Sequence, residues 1–257
     1  MDTKSESFID RLGQRRSLAR WRRAARLADK MRLGLLRSLR EDAVQLRREL
    51  DRLLHVADQR LTLPLIGSDA IRRPLGTDWA WRPELWRGPV VPVGHAAVAS
   101  RAMLGAEATV FHDCEVSELT ARQLRNRDET DLAPFGLRLD VFSFDGSFLS
   151  VVLDLPLEAV QGLRLNHVIR LNCKVALERP IEIFARLNVR HGPNTEQLVR
   201  ELPLSQEDVW VEFDLAYSKI NEKRVERAWI DLIFEGPEMN QIVIRDLTLS
   251  RHPRAEL

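Results

Sequence analysis

The residue types able to do chemistry fall in three places. His112-Asp113-Cys114-Glu115 is the one compact run of metal-ligand and nucleophile types. On a strand, His112 and Cys114 would share a face. Two ligands do not complete a zinc site, and the other cysteine, Cys173, is 59 positions away. The run therefore reads as an ordinary strand end, with reduced thiols expected in preference to a disulfide. Carboxylates such as Asp113, Glu115 or Asp246 are the groups available to a structural Ca²⁺ ion; no other cofactor is implied. The second place is the turn His191-Gly192-Pro193-Asn194-Thr195-Glu196. Gly and Pro fix such a turn and Asn194 can bond its own backbone, which makes His191 and Asn194 loop candidates for ligand contact. The third is a set of planar polar residues at alternate positions: Arg138 and Asp140, Arg170 and Asn172, and Arg186, Asn188 and Arg190. Bidentate hydrogen bonds to hydroxyl pairs, beside rings that stack on C–H faces, are what sugar binding requires. The same residues equally suit a salt-bridged face covered by another part of the chain. There is no Gly-rich phosphate loop, nucleophile elbow or HExxH. No catalytic residue is assigned, and Asp140, Asp154 and Asp231 read as salt-bridge partners of the arginines.

Those residues ride on strands. Ten candidates follow one another at short intervals: 107–112, 117–124, 136–144, 147–155, 167–177, 181–190, 196–202, 209–215, 227–235 and 240–251. Period-two alternation gives each an apolar side, such as Leu137, Leu139 and Val141 or Ile169, Leu171, Cys173 and Val175. Asp145-Gly146 predicts a two-residue hairpin joining 136–144 to 147–155. Many short strands without intervening helices point to a mainly β fold, an antiparallel jelly-roll β-sandwich over residues 96–257.

The segment Asp208-Val209-Trp210-Val211-Glu212-Phe213-Asp214 is similar to a strand of carbohydrate-binding modules. Trp229-Ile230-Asp231-Leu232-Ile233-Phe234 and Ile242-Val243-Ile244-Arg245-Asp246-Leu247-Thr248-Leu249 resemble their closing strands. From about residue 135 onward the chain thus resembles a galactose-binding-like, carbohydrate-binding-module jelly roll, which implies a glycan partner. The whole chain also resembles a bacterial protein family with no assigned activity.

Before the strands lies a different kind of sequence. Residues 1–60 hold 16 Lys and Arg against 9 Asp and Glu, a net of +7, so the remainder of this +1 chain carries −6. Asymmetry of this kind marks an end that meets an anionic partner. From Asp10 to about Arg60 there is no Pro, and strong helix formers dominate. Leu36, Leu39, Ala43, Leu46, Leu50, Leu53 and Ala57 step by 3 and 4 in turn, the seam of a short coiled coil. Arg32 would fall on that seam, so a register break is expected near Gly34. The stripe could dock on the chain's own body, fold back as a hairpin, or form a homo-oligomer through Leu36 to Ala57. Residues 11–40 hold eleven basic residues and one acid, Asp29. Arg15, Arg16, Arg20, Trp21, Arg22, Arg23 and Arg26 would suit an anionic membrane surface or an acidic protein. Nucleic acid is disfavoured, because no reading element accompanies the charge.

Residues 61–95 contain five prolines and three of the six tryptophans, Trp79, Trp81 and Trp86. They read as an extended strap whose rings plug the sandwich, with a Trp-lined sugar platform as the alternative. No apolar h-region opens the chain, and no apolar run approaches the ~20 residues of a bilayer span. The expected location is cytoplasmic, peripheral to a membrane where the helix binds one. The reading is a non-catalytic binding module for a glycan, localised or oligomerised by its basic helix. Two alternatives stay open: an assembly scaffold that uses both faces as protein interfaces, and a glycan-active enzyme with its site in the groove.

Overall fold

A computed structural model describes residues 6–66, 71–128 and 130–254. It divides into two units, Met1–Leu54 and His55–Leu257. The first is helical. Helix α1 (Glu6–Leu27) gives way to a 3₁₀ turn (Ala28–Lys30), and α2 (Leu33–Ile66) follows. The break thus precedes Gly34, and it lifts Arg32 out of the seam. Helix α2 continues through residues 61–66, where the prolines predict extended chain. Pro64 sits in its last turn; it forfeits its own backbone bond to the Arg60 carbonyl, and the helix ends two residues later. No helix among the described residues is long and apolar enough to cross a membrane.

The second unit is the antiparallel jelly-roll β-sandwich. All ten expected strands are present, and three short ones are added by the preceding segment. One sheet holds seven strands: β11 (Asp208–Asp214), β8 (His167–Leu177), β13 (Asn240–Pro253), β6 (Phe135–Ser143), β5 (Glu118–Arg125) and β2 (Gly94–His95) in that order, with β1 (Trp79–Trp81) also on β13. The other holds six: β10 (Asn194–Glu201), β9 (Ile183–His191), β12 (Val225–Phe234), β7 (Leu149–Asp154), β4 (Ala108–His112) and β3 (Ala102–Leu104). The apolar sides predicted by alternation meet between the sheets. Leu137, Leu139, Ile169, Leu171, Phe213 and Leu249 face Leu149, Leu153, Leu187, Ile230 and Leu232, all buried. Each such side chain contributes about 1.5–3 kcal/mol on burial.

The Asp145-Gly146 expectation fails. Strands β6 and β7 lie in different sheets, so this dipeptide crosses the sandwich edge and makes no hairpin. Glycine is needed there for contact. A Cβ at Gly146 would come within 2.6 Å of Asp113 Oδ1 and 3.0 Å of the Cys114 nitrogen. Asp145 Oδ2 accepts from the Val116 nitrogen at 3.2 Å, tying the crossing to the β4–β5 loop.

The strap is part of the core. Trp86 is fully buried and donates its indole N–H to the Ile244 carbonyl at 2.9 Å. Leu85 and Val90 are buried beside it. Gln123 staples the segment, donating to the carbonyls of Leu85 and Gly88 and accepting from the Val90 nitrogen. Strand β1 pairs Trp79 with Arg251 and Trp81 with Leu249. Arg251 grips Asp78 at 3.0 Å and donates to the carbonyls of Ala159 and Gln161.

Candidate functional site

Antiparallel register converts the alternation into rows of side chains on each outer face. On the six-stranded sheet one row runs Gln197, Asn188, Trp229, Asp154. The next runs Val199, Arg186, Asp231, Val152, Thr109, and a third runs Phe184, Ile233, Ser150, Phe111. Thr109, Phe111, Ser150, Arg186, Trp229 and Asp231 of these rows line an open groove of about 610 Å³ that crosses β4, β7, β12 and β9. Asp231 anchors its floor. It accepts from Arg186 Nε at 2.7 Å and from Asn188 Nδ2 at 3.1 Å, and Gln197 donates to Asn188 Oδ1 at 2.9 Å. Buried polar groups joined in this way are held in one orientation. Phe111, Phe148 and Trp229 supply ring surface along the groove, and Phe148 is 44% exposed. The Arg227 guanidinium lies over Trp229, 4.7 Å from the ring centroid, and touches Asp154 at 3.4 Å.

The outer face of the seven-stranded sheet is built otherwise. Its rows are Trp210, Asn172, Thr248 and Glu212, Arg170, Ser250. The strap supplies Arg82, 3% exposed, whose guanidinium makes a two-pronged bond to Asp246 at 2.8 Å per contact. Lys174 binds the buried Asp131 at 2.7 Å, and Arg170 binds Glu212 while covering Trp210 at 4.0 Å. Between them remains a cavity of about 250 Å³. Nearby, Arg138 bonds Asp140. Burial pushes the Asp140 carboxyl up, but hydrogen bonds from Arg138 and Thr120 and the charges of Arg138 and Arg122 outweigh it and hold it below the usual range.

The predicted polar residues therefore divide. Arg138, Asp140, Arg170 and Asn172 belong to the seven-stranded face, whereas Arg186, Asn188 and Arg190 belong to the other. Arg190 stands at the margin, 3.2 Å from Glu226. His191 does not face solvent: it is buried with the inward-pointing residues of β9, and its Nδ1 accepts from the Asn221 nitrogen at 3.4 Å. Asn194 is exposed at the opposite end of that tight turn. Sequence reasoning missed Thr109, Phe111, Phe148, Ser150 and Trp229 as a group, because pairing across four strands brings them together. The parity of Trp229 with Asp231 was the available signal.

His112 donates from Nε2 to the Val98 carbonyl at 2.7 Å and accepts at Nδ1 from the Cys114 nitrogen at 3.2 Å, so both ring nitrogens serve the backbone. Cys114 and Cys173 are unpaired, and burial pushes both thiols up. Two of the three carboxylates considered for Ca²⁺, Asp113 and Asp246, serve protein donors. Asp113 accepts from Ser147 and Phe148, while Asp246 in the opposite sheet is taken by Arg82. Among the described residues no three His, Cys, Asp or Glu side chains cluster as a metal site.

On α1 the side chains of Arg16, Arg20, Arg22, Arg23 and Arg26 are exposed and Trp21 is half-buried, with the Arg20 guanidinium 5.6 Å from its ring. The side chain of Arg15 lies outside the described residues.

No curated protein matches the sequence. Among solved structures the chain is similar to a Clostridium thermocellum family 11 carbohydrate-binding module in complex with a β-1,3-1,4-mixed-linked tetrasaccharide, at 12% identity and a TM-score of 0.38, covering 64% of this chain and 99% of that one. It is similar at 10% identity and a TM-score of 0.37 to a family 22 xylan-binding domain from Paenibacillus barcinonensis, over 63% of this chain and 94% of that one. The enzymatically active domain of bacteriophage CBA120 tailspike protein 4 matches at 8% identity and a TM-score of 0.39, over 56% of this chain; only 19% of the tailspike chain is spanned. Over residues 1–257 the sequence matches one family model, and the chain belongs to the Family of unknown function (DUF6478).

Proposed function

We propose that the chain is a non-catalytic binding module whose six-stranded face takes a glycan segment, with the basic helix α1 localising it at an anionic surface. The observation that carries this reading is the groove itself. Ring surface from Trp229, Phe111 and Phe148 flanks a floor on which Asp231 fixes the Arg186 guanidinium. Rings stack on the C–H faces of a pyranose, and the Arg186 and Arg227 guanidinium groups meet its hydroxyl pairs. Arg227, 55% exposed and held by one long contact to Asp154, is placed to swing from Trp229 onto a ligand hydroxyl. Asp231 and Asp154 each bond an arginine, an arrangement suited to recognition.

The test is a glycan array probed with the full chain, followed by calorimetry of any ligand found against Trp229→Ala and Asp231→Asn. A glycan whose binding depends on both residues supports the reading. An array without binders, or binding indifferent to both substitutions, sinks it.

A further inference from the structure

We propose that α2 pairs with the α2 of a second copy as a parallel two-stranded coiled coil through residues 36–57. The seam repeats strictly as a heptad: Leu36, Ala43, Leu50 and Ala57 at one core position, Leu39, Leu46 and Leu53 at the other. The seven seam positions form the unbroken part of the apolar stripe, and Leu35, Val44, Leu54 and Val56 lie beside it. Several seam side chains are exposed. Leu46, Leu50 and Leu53 are 40%, 47% and 62% exposed, and Leu36, Leu39 and Ala43 are half-buried. The Ala57 side chain lies outside the described residues. The seam is about 30 Å long.

The flanking charges select the partner and its direction. The positions preceding Ala43 and Leu50 hold Asp42 and Glu49, and those following Leu39 and Leu46 hold Arg40 and Arg47; Leu35, Val56 and Leu54 occupy the remaining flanks. In a parallel pair these flanks meet crosswise, so Asp42 of one copy faces Arg47 of the other, twice by symmetry. In an antiparallel pair each flank meets its own kind, acid against acid and arginine against arginine, which repels. A second copy of this chain, side by side, supplies complementary charge along with a matching seam.

Sedimentation of the full chain over a concentration series tests this. The expected mass is twice the 29.6 kDa of one chain. The double substitution Leu46→Glu, Leu50→Glu is expected to sediment as one chain with the thermal transition of the sandwich unchanged, since both leucines are exposed. Asp42→Arg should weaken association roughly tenfold, and adding Arg47→Asp should restore it. A wild-type chain that stays monomeric throughout, a trimer or larger assembly, or a dimer indifferent to the leucine substitutions overturns the proposal. A charge-swapped double variant that fails to recover overturns the parallel arrangement.

Discussion

The two outer faces of the sandwich carry nearly the same residue types and put them to different use. On the seven-stranded face two ion pairs, Arg82–Asp246 and Lys174–Asp131, are closed in. Arg82 and Asp246 are 3% and 15% exposed, and Lys174 and Asp131 are 12% and 2% exposed. On the six-stranded face Arg227 and Asp154 are 55% and 58% exposed, and Arg186 keeps 36% of its side chain in water above a buried Asp231. The strap makes the difference. It lays β1 along β13 and drops Arg82 onto Asp246, whereas the six-stranded sheet receives no such cover from the described residues of its unit. A buried ion pair has given up its hydration and has little left to offer a ligand. An exposed arginine above a fixed carboxylate still has donors to present. Composition alone therefore does not mark a binding face; what covers it does.

That contrast can be broken most forcefully at the strap. Trp86→Ala removes a fully buried indole and its hydrogen bond to Ile244, and should destabilise the sandwich by about 3–5 kcal/mol in denaturant unfolding; a loss below ~1 kcal/mol would mean that the strap is ornamental. On the open face, Trp229→Ala should weaken binding of a glycan ligand about tenfold or more, with the unfolding midpoint nearly unchanged, because the ring is only half-buried. Asn172→Ala, on the closed face, should leave the same affinity within about twofold. If Asn172 matters more than Trp229 in calorimetry, the two faces have been assigned the wrong way round.

Acid provides a subtler probe, because the strap is clamped by titratable groups. His167 is buried and accepts from the Arg164 nitrogen at Nδ1, and burial and the nearby charge of Arg251 hold it below its ordinary value of 6.5. Burial pushes the Asp78 carboxyl up, but the hydrogen bonds and charge of Arg251 outweigh it and hold it below the ordinary 3.8. In both cases the unfolded chain takes up the proton first. Stability is therefore complete above about pH 6.5, declines as His167 becomes protonated in the unfolded state, and declines again below 3.8 as Asp78 does. Thermal melts across pH 8 to 3 should show both steps, and His167→Gln should remove the upper one. The smallest expected effect is at α1. Replacing Arg20, Arg22 and Arg23 with Gln should reduce cosedimentation with anionic vesicles several-fold at low salt and leave the sandwich melt untouched. Equal sedimentation would remove the membrane from the account.

Much of this molecule could be read from period alone. Alternation placed Leu139, Leu171, Leu187 and Leu232 inside because a side chain's face is fixed by parity along its own strand. The 3-4 spacing gave helix for α2, and clustered tryptophans gave a buried strap. Parity does not say which strand lies beside which, or in which sheet. Arg138 and Arg186 therefore looked like members of one polar face and belong to two, and Asp145-Gly146 looked like a hairpin and is a crossing. The groove shares that dependence. Phe111, Ser150, Arg186 and Trp229 are spread from position 111 to position 229 of the chain, and only cross-strand register makes them neighbours.

The sequence by itself determined the local periods, the charge imbalance between the two ends and the identity of the core, since each follows from residues a few positions apart. The tertiary structure alone decided which polar face is covered and which is open, because that depends on where the strap finds hydrogen-bonding partners such as Ile244, Gln123 and Asp246, each distant in sequence and adjacent only once the sheets have closed.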